Sequence, residues 1–423
     1  MPSLLRSLRP LALELTPLEV AARCRHLPGV VFFDTAREGH TEGGISIVAA
    51  QPAEIVRGRT DADWQRLRAA IARRADAGHC DDGLPRGFAA GAVDYDGAFC
   101  FGLYEDALLF RHADESWHEV GELWVKEPGR PRPVAETRGG DDPAPCFTPT
   151  IQREQFCQMV ARAQDYIAAG HIYQVNLAHR FTAPRSSDAF PFYEALRHYS
   201  PAPYGAYLDL GDRQILSTSP ESFLRMSGDL VRTRPIKGTR PRRADLNADE
   251  KSAYDLLTSP KEIAELVMIT DLERNDLGQV CEYGSVAVTE LLKLERYEQV
   301  FHLVSTVEGR LRPGIDHIAA LRACFPGGSI TGAPKKRARE IIAELEPEPR
   351  GLYTGAIGWF GFNGESQFSI AIRTVVAERD QMHFHVGAGI VADSVPEKEW
   401  QETLDKAAGI LLAAERMSPG RAR

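Results

Sequence analysis

Polar and apolar positions along the chain sort into short strand-like runs and longer helical stripes. In residues 1–126, Ile45 to Ala50 and Gly87 to Tyr95 read as strands and Ala62 to Ala77 as a helix, which makes this an N-terminal part of mixed character. Residues 127–150 carry Pro128, Pro131, Pro133, Gly139, Gly140, Pro143 and Pro145 and read as a linker. From 151 to 411 the patterning strengthens. Arg153 to Ala169 is predicted as a helix stopped by Gly170, and Ile172 to Phe181 as a strand carrying Tyr173, Gln174 and Asn176. Gln214 to Pro220 and Leu230 to Pro235 are read as strands bracketing a turn at Ser227 to Asp229, so that Glu221 and Lys237 lie on neighbouring segments. Tyr353 to Phe362 and Gln367 to Ala377 form a hairpin about Asn363-Gly364, Val386 to Ile390 is a strand, and 412–423 is a tail.

Two helices break the ordinary pattern. Ser259-Pro260-Lys261-Glu262 opens the first, with Ser259 as N-cap, Pro260 in the first position and Glu262 closing a capping box. Glu262 and Glu265 share a face and continue a stripe through the apolar Leu266 and Ile269, so they point inward. The second helix starts at Asp393 to Glu397 with Ser394 and Glu397 as another capping box, and sets Glu399, Glu402 and Lys406 on one face. A Glu402–Lys406 pair alone is an ordinary surface feature. Two helices that each present an i, i+3 carboxylate pair suit one hard cation, Mg²⁺, which prefers oxygen ligands.

Arg234 to Pro241 contains Lys237 between Pro235 and Gly238. Proline constrains the backbone and glycine permits close approach, so a lysine here can be aimed at a fixed point. By itself the stretch reads as a basic surface turn with a solvated lysine; desolvation or flanking cations, Arg234 and Arg240 among them, would make it a nucleophile. Glu221, after Pro220, reads by itself as a turn carboxylate. Phe325 to Lys336 is a glycine-rich turn entering a helix, whose N–H groups could hold an anion; it lacks the spacing of a nucleotide-binding loop. Arg373 shares a face with Ser369, Ala371 and Val375, small neighbours that leave room for a guanidinium to grip a carboxylate.

Composition narrows the classes. The 423 residues are 43% hydrophobic and 26% charged with a net charge of −9, a balance that speaks against a nucleic-acid partner. The seven cysteines have no zinc-ligand spacing, and as reduced thiols they fit a cytoplasmic protein. Glu14 interrupts the early apolar run, so no signal peptide is expected, and no run is long enough for a membrane span.

Taken together, IYQVNL (172–177), SPESF (219–223), PIKGTRPR (235–242), KEIAELVMITDLERNDLG (261–278), HLVSTVEG (302–309), PGGSITGAPK (326–335), YTGAIGWF (353–360), SIAIRTVV (369–376) and GAGIVADSVPEKEWQETLDKA (387–407) resemble the chorismate-utilising enzyme family. The resemblance is strong over 151–411 and weaker over 1–126. It implies an α+β fold of two large, mostly antiparallel sheets packed face to face with helices outside. It implies Mg²⁺ held by Glu262, Glu265, Glu399 and Glu402, gripping a substrate carboxylate. Arg373, Tyr353 and the backbone at Gly389 would hold the enolpyruvyl carboxylate of chorismate. Lys406, Thr239, Gln174 and the turn at Gly328 and Ser329 would support the substrate, with Glu221 as general acid and His302 as a further active-site residue. Members that add water carry a lysine where this chain has Gln174, which speaks against isochorismate or salicylate synthesis. Members that aminate C2 to give anthranilate typically have alanine where this chain has Lys237. A lysine attacking C2 would direct ammonia to C4, giving 4-amino-4-deoxychorismate, a precursor of p-aminobenzoate and folate. No amidotransferase segment is recognised in the chain, so the resemblance implies ammonia from a separate glutamine amidotransferase subunit. Phe33-Asp34-Thr35 departs from the family's Leu-Asp/Glu-Ser signature, at a region that holds tryptophan in some relatives.

Overall fold

A computed structural model describes residues 7–36, 44–75, 82–126, 144–185, 188–297 and 300–417. Two antiparallel sheets of 12 and 10 strands dominate it, an α+β architecture. In the larger sheet Gln174–Pro184 lies beside Gln381–Ile390, followed by Thr374–Glu378, Arg213–Ser219 and Tyr204–Asp209. In the smaller one Ile236–Pro241, Val300–Arg310, Leu230–Arg234, Ser222–Ser227, Glu365–Ile370 and Ala356–Gly361 follow in order. Strands from residues 8–120 enter both sheets, so the N-terminal part and the stretch beyond 151 build one continuous body.

The sheets close on a shared apolar layer that contains Val31, Ile47, Phe88, Leu208, Ile357 and Trp359. Helices cover the outer faces and bury their own stripes there, Ile410 and Phe190 on one side, Leu277 and Ile318 on the other. A strand covered on both faces loses its polar alternation. Phe88–Val93, with sequence FAAGAV, is buried at all 6 positions, as such a strand requires.

Several local expectations change. The partner of Leu230–Arg234 across Gly228 is Ser222–Ser227, while Arg213–Ser219 belongs to the other sheet. Gln367 to Ala377 is likewise not one strand: Glu365–Ile370 lies in the smaller sheet and Thr374–Glu378 in the larger. Arg373 therefore does not share a strand face with Ser369 and Val375. The chain crosses between sheets at Pro220-Glu221 and again at Ala371 to Arg373, and the two crossings run side by side. Thr218 N donates to Arg373 O at 3.0 Å, and Ile370 N to Glu221 O at 3.1 Å. Periodicity reads within one element, so it cannot register a strand that changes sheets.

The helix predicted to Ala77 is Asp61–Ala72, and the last helix, Pro396–Arg416, runs past the expected start of the tail at 412. Much of the linker lies outside the described residues, but Thr148–Pro149 pairs onto Gln174–Pro184. A cavity between the sheets is lined by Phe33, Asp34, Thr35, Tyr204 and Trp359. Its carboxylate is already engaged: Asp34 accepts from Arg197 Nε and from the Tyr193 hydroxyl. No described helix is long and apolar enough to cross a membrane, and the described cysteines form no disulfide.

Candidate active site

The helix Pro260–Gly278 begins as its sequence dictates, with the Ser259 side chain accepting from Glu262 N at 3.4 Å. Glu262 does not complete a capping box; its Oε1 accepts from Arg240 Nη1 at 3.3 Å. In the final helix the N-cap is Val395, and Ser394 Oγ accepts from Val391 N instead of capping. The first box gives way to a partner distant in the chain, Arg240, and the second to a bond within the loop that precedes its helix. The inward stripe is real: Leu266 and Ile269 are fully buried and turn Glu265 in with them.

Glu265 and Glu399 come together at Lys261, whose Nζ lies 3.9 Å from Glu265 Oε1 and 3.8 Å from Glu399 Oε1. Glu265 Oε1 and Glu399 Oε2 are buried with no hydrogen-bond partner. Glu262 is tied to Arg240, and Glu402 accepts from Lys406 at 2.8 Å. No set of three or more His, Cys, Asp or Glu side chains close enough to share an ion occurs among the described residues, yet the Lys261 ammonium feels all four expected carboxylates, Glu399, Glu265, Glu402 and Glu262. The unsatisfied oxygens on Glu265 and Glu399 fit a hard cation, since a buried carboxylate oxygen without a partner is costly and a divalent ion satisfies it. Burial raises the Glu265 carboxyl above the usual range, against Lys237 and Lys261. Burial also opposes ionisation of Glu402, but Lys406 outweighs it and holds that group below the usual range.

Lys237 lies on Ile236–Pro241, where the pairing with Val300–Arg310 shifts register between Lys237 and Thr239. Gly238, with φ of +75°, supplies the bulge; a Cβ there would lie 2.6 Å from Leu256 Cδ1 and 3.0 Å from Glu262 Oε2. The bulge aims Lys237 at the glycine turn, where Nζ donates to Ser329 O at 3.3 Å. The expected flanking cations are otherwise engaged, Arg234 by Glu295 and Thr306 and Arg240 by Glu262. The charged groups that sense Lys237 are carboxylates: Glu221, Glu265 and Glu402. On the adjoining strand, buried His302 shares a hydrogen bond of 3.0 Å between Nδ1 and Thr239 Oγ1.

Glu221 occupies the first sheet crossing, 6% exposed, and accepts from Ser329 Oγ at 2.8 Å. Burial raises its carboxyl above the usual range, although the Ser329 hydroxyl and Lys237 pull the other way. The turn carrying Ser329 is not an open anion nest throughout, because Gly328 N donates to Glu273 Oε1 at 3.0 Å. Burial, with Asp276 beside it, pushes Glu273 up to about 7. Lys335 answers Asp276 and also donates to Cys324 O at 3.0 Å.

On the opposite wall Lys406 donates to Gly387 O at 2.8 Å, and Tyr353 stacks on His385 with ring centroids 5.3 Å apart. Gln174 packs against Gly389, where a Cβ would come within 2.5 Å of Gln174 Nε2; the Gln174 Oε1 is buried without a partner. Arg373 has φ of +48°, a left-handed backbone held at the second crossing.

Lys261, Glu273 and Arg350 join the site without belonging to the expected set. Arg350 is buried and donates to Glu346, to Ile330 O at 3.2 Å and to Asn176 O at 2.7 Å, joining the glycine turn to the Gln174 strand. Glu273 and Asp276 were legible, since they repeat the Glu262/Glu265 spacing further along the same helix. Nothing local marks Arg350.

Against known proteins, the chain over residues 31–412 matches the family described as chorismate binding enzyme. It is 45% identical over 304 residues to aminodeoxychorismate synthase component 1 of Bacillus subtilis, covering 72% of this chain and 64% of that one. It is 48% identical over 274 residues to anthranilate synthase component 1 of Thermus thermophilus, covering 65% of this chain and 59% of that one. The matches thus span less than two thirds of either relative's length. The crystal structure of anthranilate synthase component I from Streptococcus pneumoniae superposes with a TM-score of 0.78 at 32% identity, covering 88% of this chain and 93% of that one. On the matched span, the order of its motifs and its two-sheet architecture, the chain belongs to the chorismate binding enzyme family.

Proposed function

We propose that the chain is an aminodeoxychorismate synthase component 1, aminating chorismate at C4 with ammonia. The observation that carries this reading is the shared residue Ser329, which accepts from Lys237 and donates to Glu221. A nucleophile and a buried carboxylic acid are thereby both held within hydrogen-bond reach of one residue. In the first step Lys237 Nζ, once its proton has passed to solvent, bonds to C2, the ring double bonds shift, and the C4–O bond breaks. Glu221 gives its proton to the departing hydroxyl, which leaves as water; a carboxyl with raised affinity for its proton suits that role. In the second step ammonia bonds to C4, the double bonds shift back, and the C2–N bond to Lys237 breaks with the electron pair returning to the lysine. Splitting one displacement into two lowers each barrier.

Glu265 and Glu399, with Glu262 and Glu402 beside them, would hold Mg²⁺, which supplies positive charge for a substrate carboxylate. Arg373 and Tyr353 would hold the enolpyruvyl carboxylate, and Lys406 fixes the strand at Gly387 and Gly389 behind it. The neutral amide of Gln174, unable to act as a base, disfavours activation of water at C2. A separate glutamine amidotransferase would supply the ammonia, and the product would feed p-aminobenzoate and folate synthesis in the cytoplasm. The similarity to anthranilate synthases supports a second reading, amination at C2 followed by loss of pyruvate.

The test is incubation of the purified chain with chorismate, Mg²⁺ and ammonium, with products resolved by chromatography and mass, beside Lys237→Ala. Aminodeoxychorismate from the wild type, lost or diverted in the variant, is the expected result. Anthranilate from the wild type would overturn the assignment of Lys237 and select the second reading.

A further inference from the structure

Lys261 stands in an unfavourable place. It is the second residue of the helix Pro260–Gly278, and the N-terminal turn of a helix carries partial positive charge that repels a cation. Yet its ammonium turns toward the protein, to within 4 Å of Glu265 on its own helix and of Glu399 on the final helix. Those side chains are 13% and 4% exposed, while that of Lys261 is 54% exposed. The lysine thus reaches in from solvent to a buried carboxylate pair. Its distances of 3.8 and 3.9 Å give charge contact without closing a hydrogen bond, and Glu265 Oε1 and Glu399 Oε2 stay without a hydrogen-bond partner.

We infer that Lys261 competes with the divalent cation for Glu265 and Glu399 and thereby sets the metal affinity of the site. The inference rests on the reading of these glutamates as metal-binding. An ammonium and a divalent cation repel each other across a few ångströms, so the two cannot share the pair at full strength. The exposed stem of Lys261 lets the ammonium swing to water when an ion arrives. The lysine then has two effects of opposite sign: it stabilises the chain without metal by offsetting part of the charge of two inward carboxylates, and it weakens ion binding.

The experiment is calorimetric titration of the full chain with Mg²⁺ alone, for wild type, Lys261→Met and Lys261→Arg, together with thermal melts in chelator. Lys261→Met is expected to bind Mg²⁺ about twofold to fivefold more tightly, the range for losing a partly exposed ion pair. It should also melt at a lower temperature than wild type in chelator. Lys261→Arg keeps the charge and should stay near wild type in both. Because Lys261 is half in solvent, folding of the variants is checked by circular dichroism, and Lys261→Gln serves if the methionine variant aggregates. Equal or weaker Mg²⁺ binding by a folded, uncharged variant would overturn the competition while leaving the metal reading intact. Absence of Mg²⁺ binding by both wild type and variant at millimolar metal would overturn the metal reading and the inference with it.

Discussion

The Ser329 hydroxyl donates to Glu221 Oε1 at 2.8 Å, across a gap of 108 positions in the chain. This bond stabilises the ionised form of a carboxyl that burial pushes the other way. Removing it in Ser329→Ala should raise Glu221 further, leaving the acid protonated to higher pH. The alkaline limb of the kcat profile should move upward while kcat falls by about tenfold, the value of one buried hydrogen bond. A fall in rate with no movement of that limb would show that Glu221 is not the acid.

Glu273 offers a pH dependence of stability. Burial raises it from 4.5 to about 7, so the folded protein binds this proton more tightly than the unfolded chain. Its contribution is fully present below pH 4.5, declines as pH rises through the window between 4.5 and 7, and is lost above about 7. Glu273→Gln retains an acceptor for Gly328 N and removes the charge. Above pH 7 the variant should be more stable than wild type by roughly 3 kcal/mol, and near pH 4.5 the two should converge. Urea unfolding across that range measures it; parallel curves would refute the assignment.

Arg350 anchors groups that burial cuts off from water. Arg350→Met takes the guanidinium away from Ile330 O, from Asn176 O and from the Glu346 carboxylate, which keeps the Ala178 N–H. A cost of about 3–5 kcal/mol is expected, since breaking a buried pair strands its partner. Denaturant unfolding of the variant reads this, and a loss below about 1 kcal/mol would place those groups in contact with solvent.

Gly238 combines positive φ with close neighbours, whereas Gly284 has φ of +79° and nothing within 4 Å of the place a Cβ would take. Gly284→Ala should lose only about 1 kcal/mol of stability and keep activity. Gly238→Ala should cost about 2 kcal/mol or more and lower activity beyond tenfold, because the bulge that aims Lys237 has to shift. Equal activity in the two variants would detach the bulge from catalysis.

Elements whose cause is local were legible in the amino-acid sequence. The Ser259 cap and Pro260 start a helix, the stripe of Leu266 and Ile269 turns Glu265 inward, and the ordered motifs name the family. Those signals act over a turn of helix or a pair of strands, and they are written in adjacent residues. What each inward group meets was set by the folding of distant segments against one another. That folding placed Glu221 and Arg373 at paired crossings between the sheets, gave Glu262 to Arg240, tied Gly328 N to Glu273, and turned Lys261 toward Glu265 and Glu399. The physical reason is burial: once a polar group leaves water it must find a partner, and the partner within reach is set by packing between segments far apart in the chain.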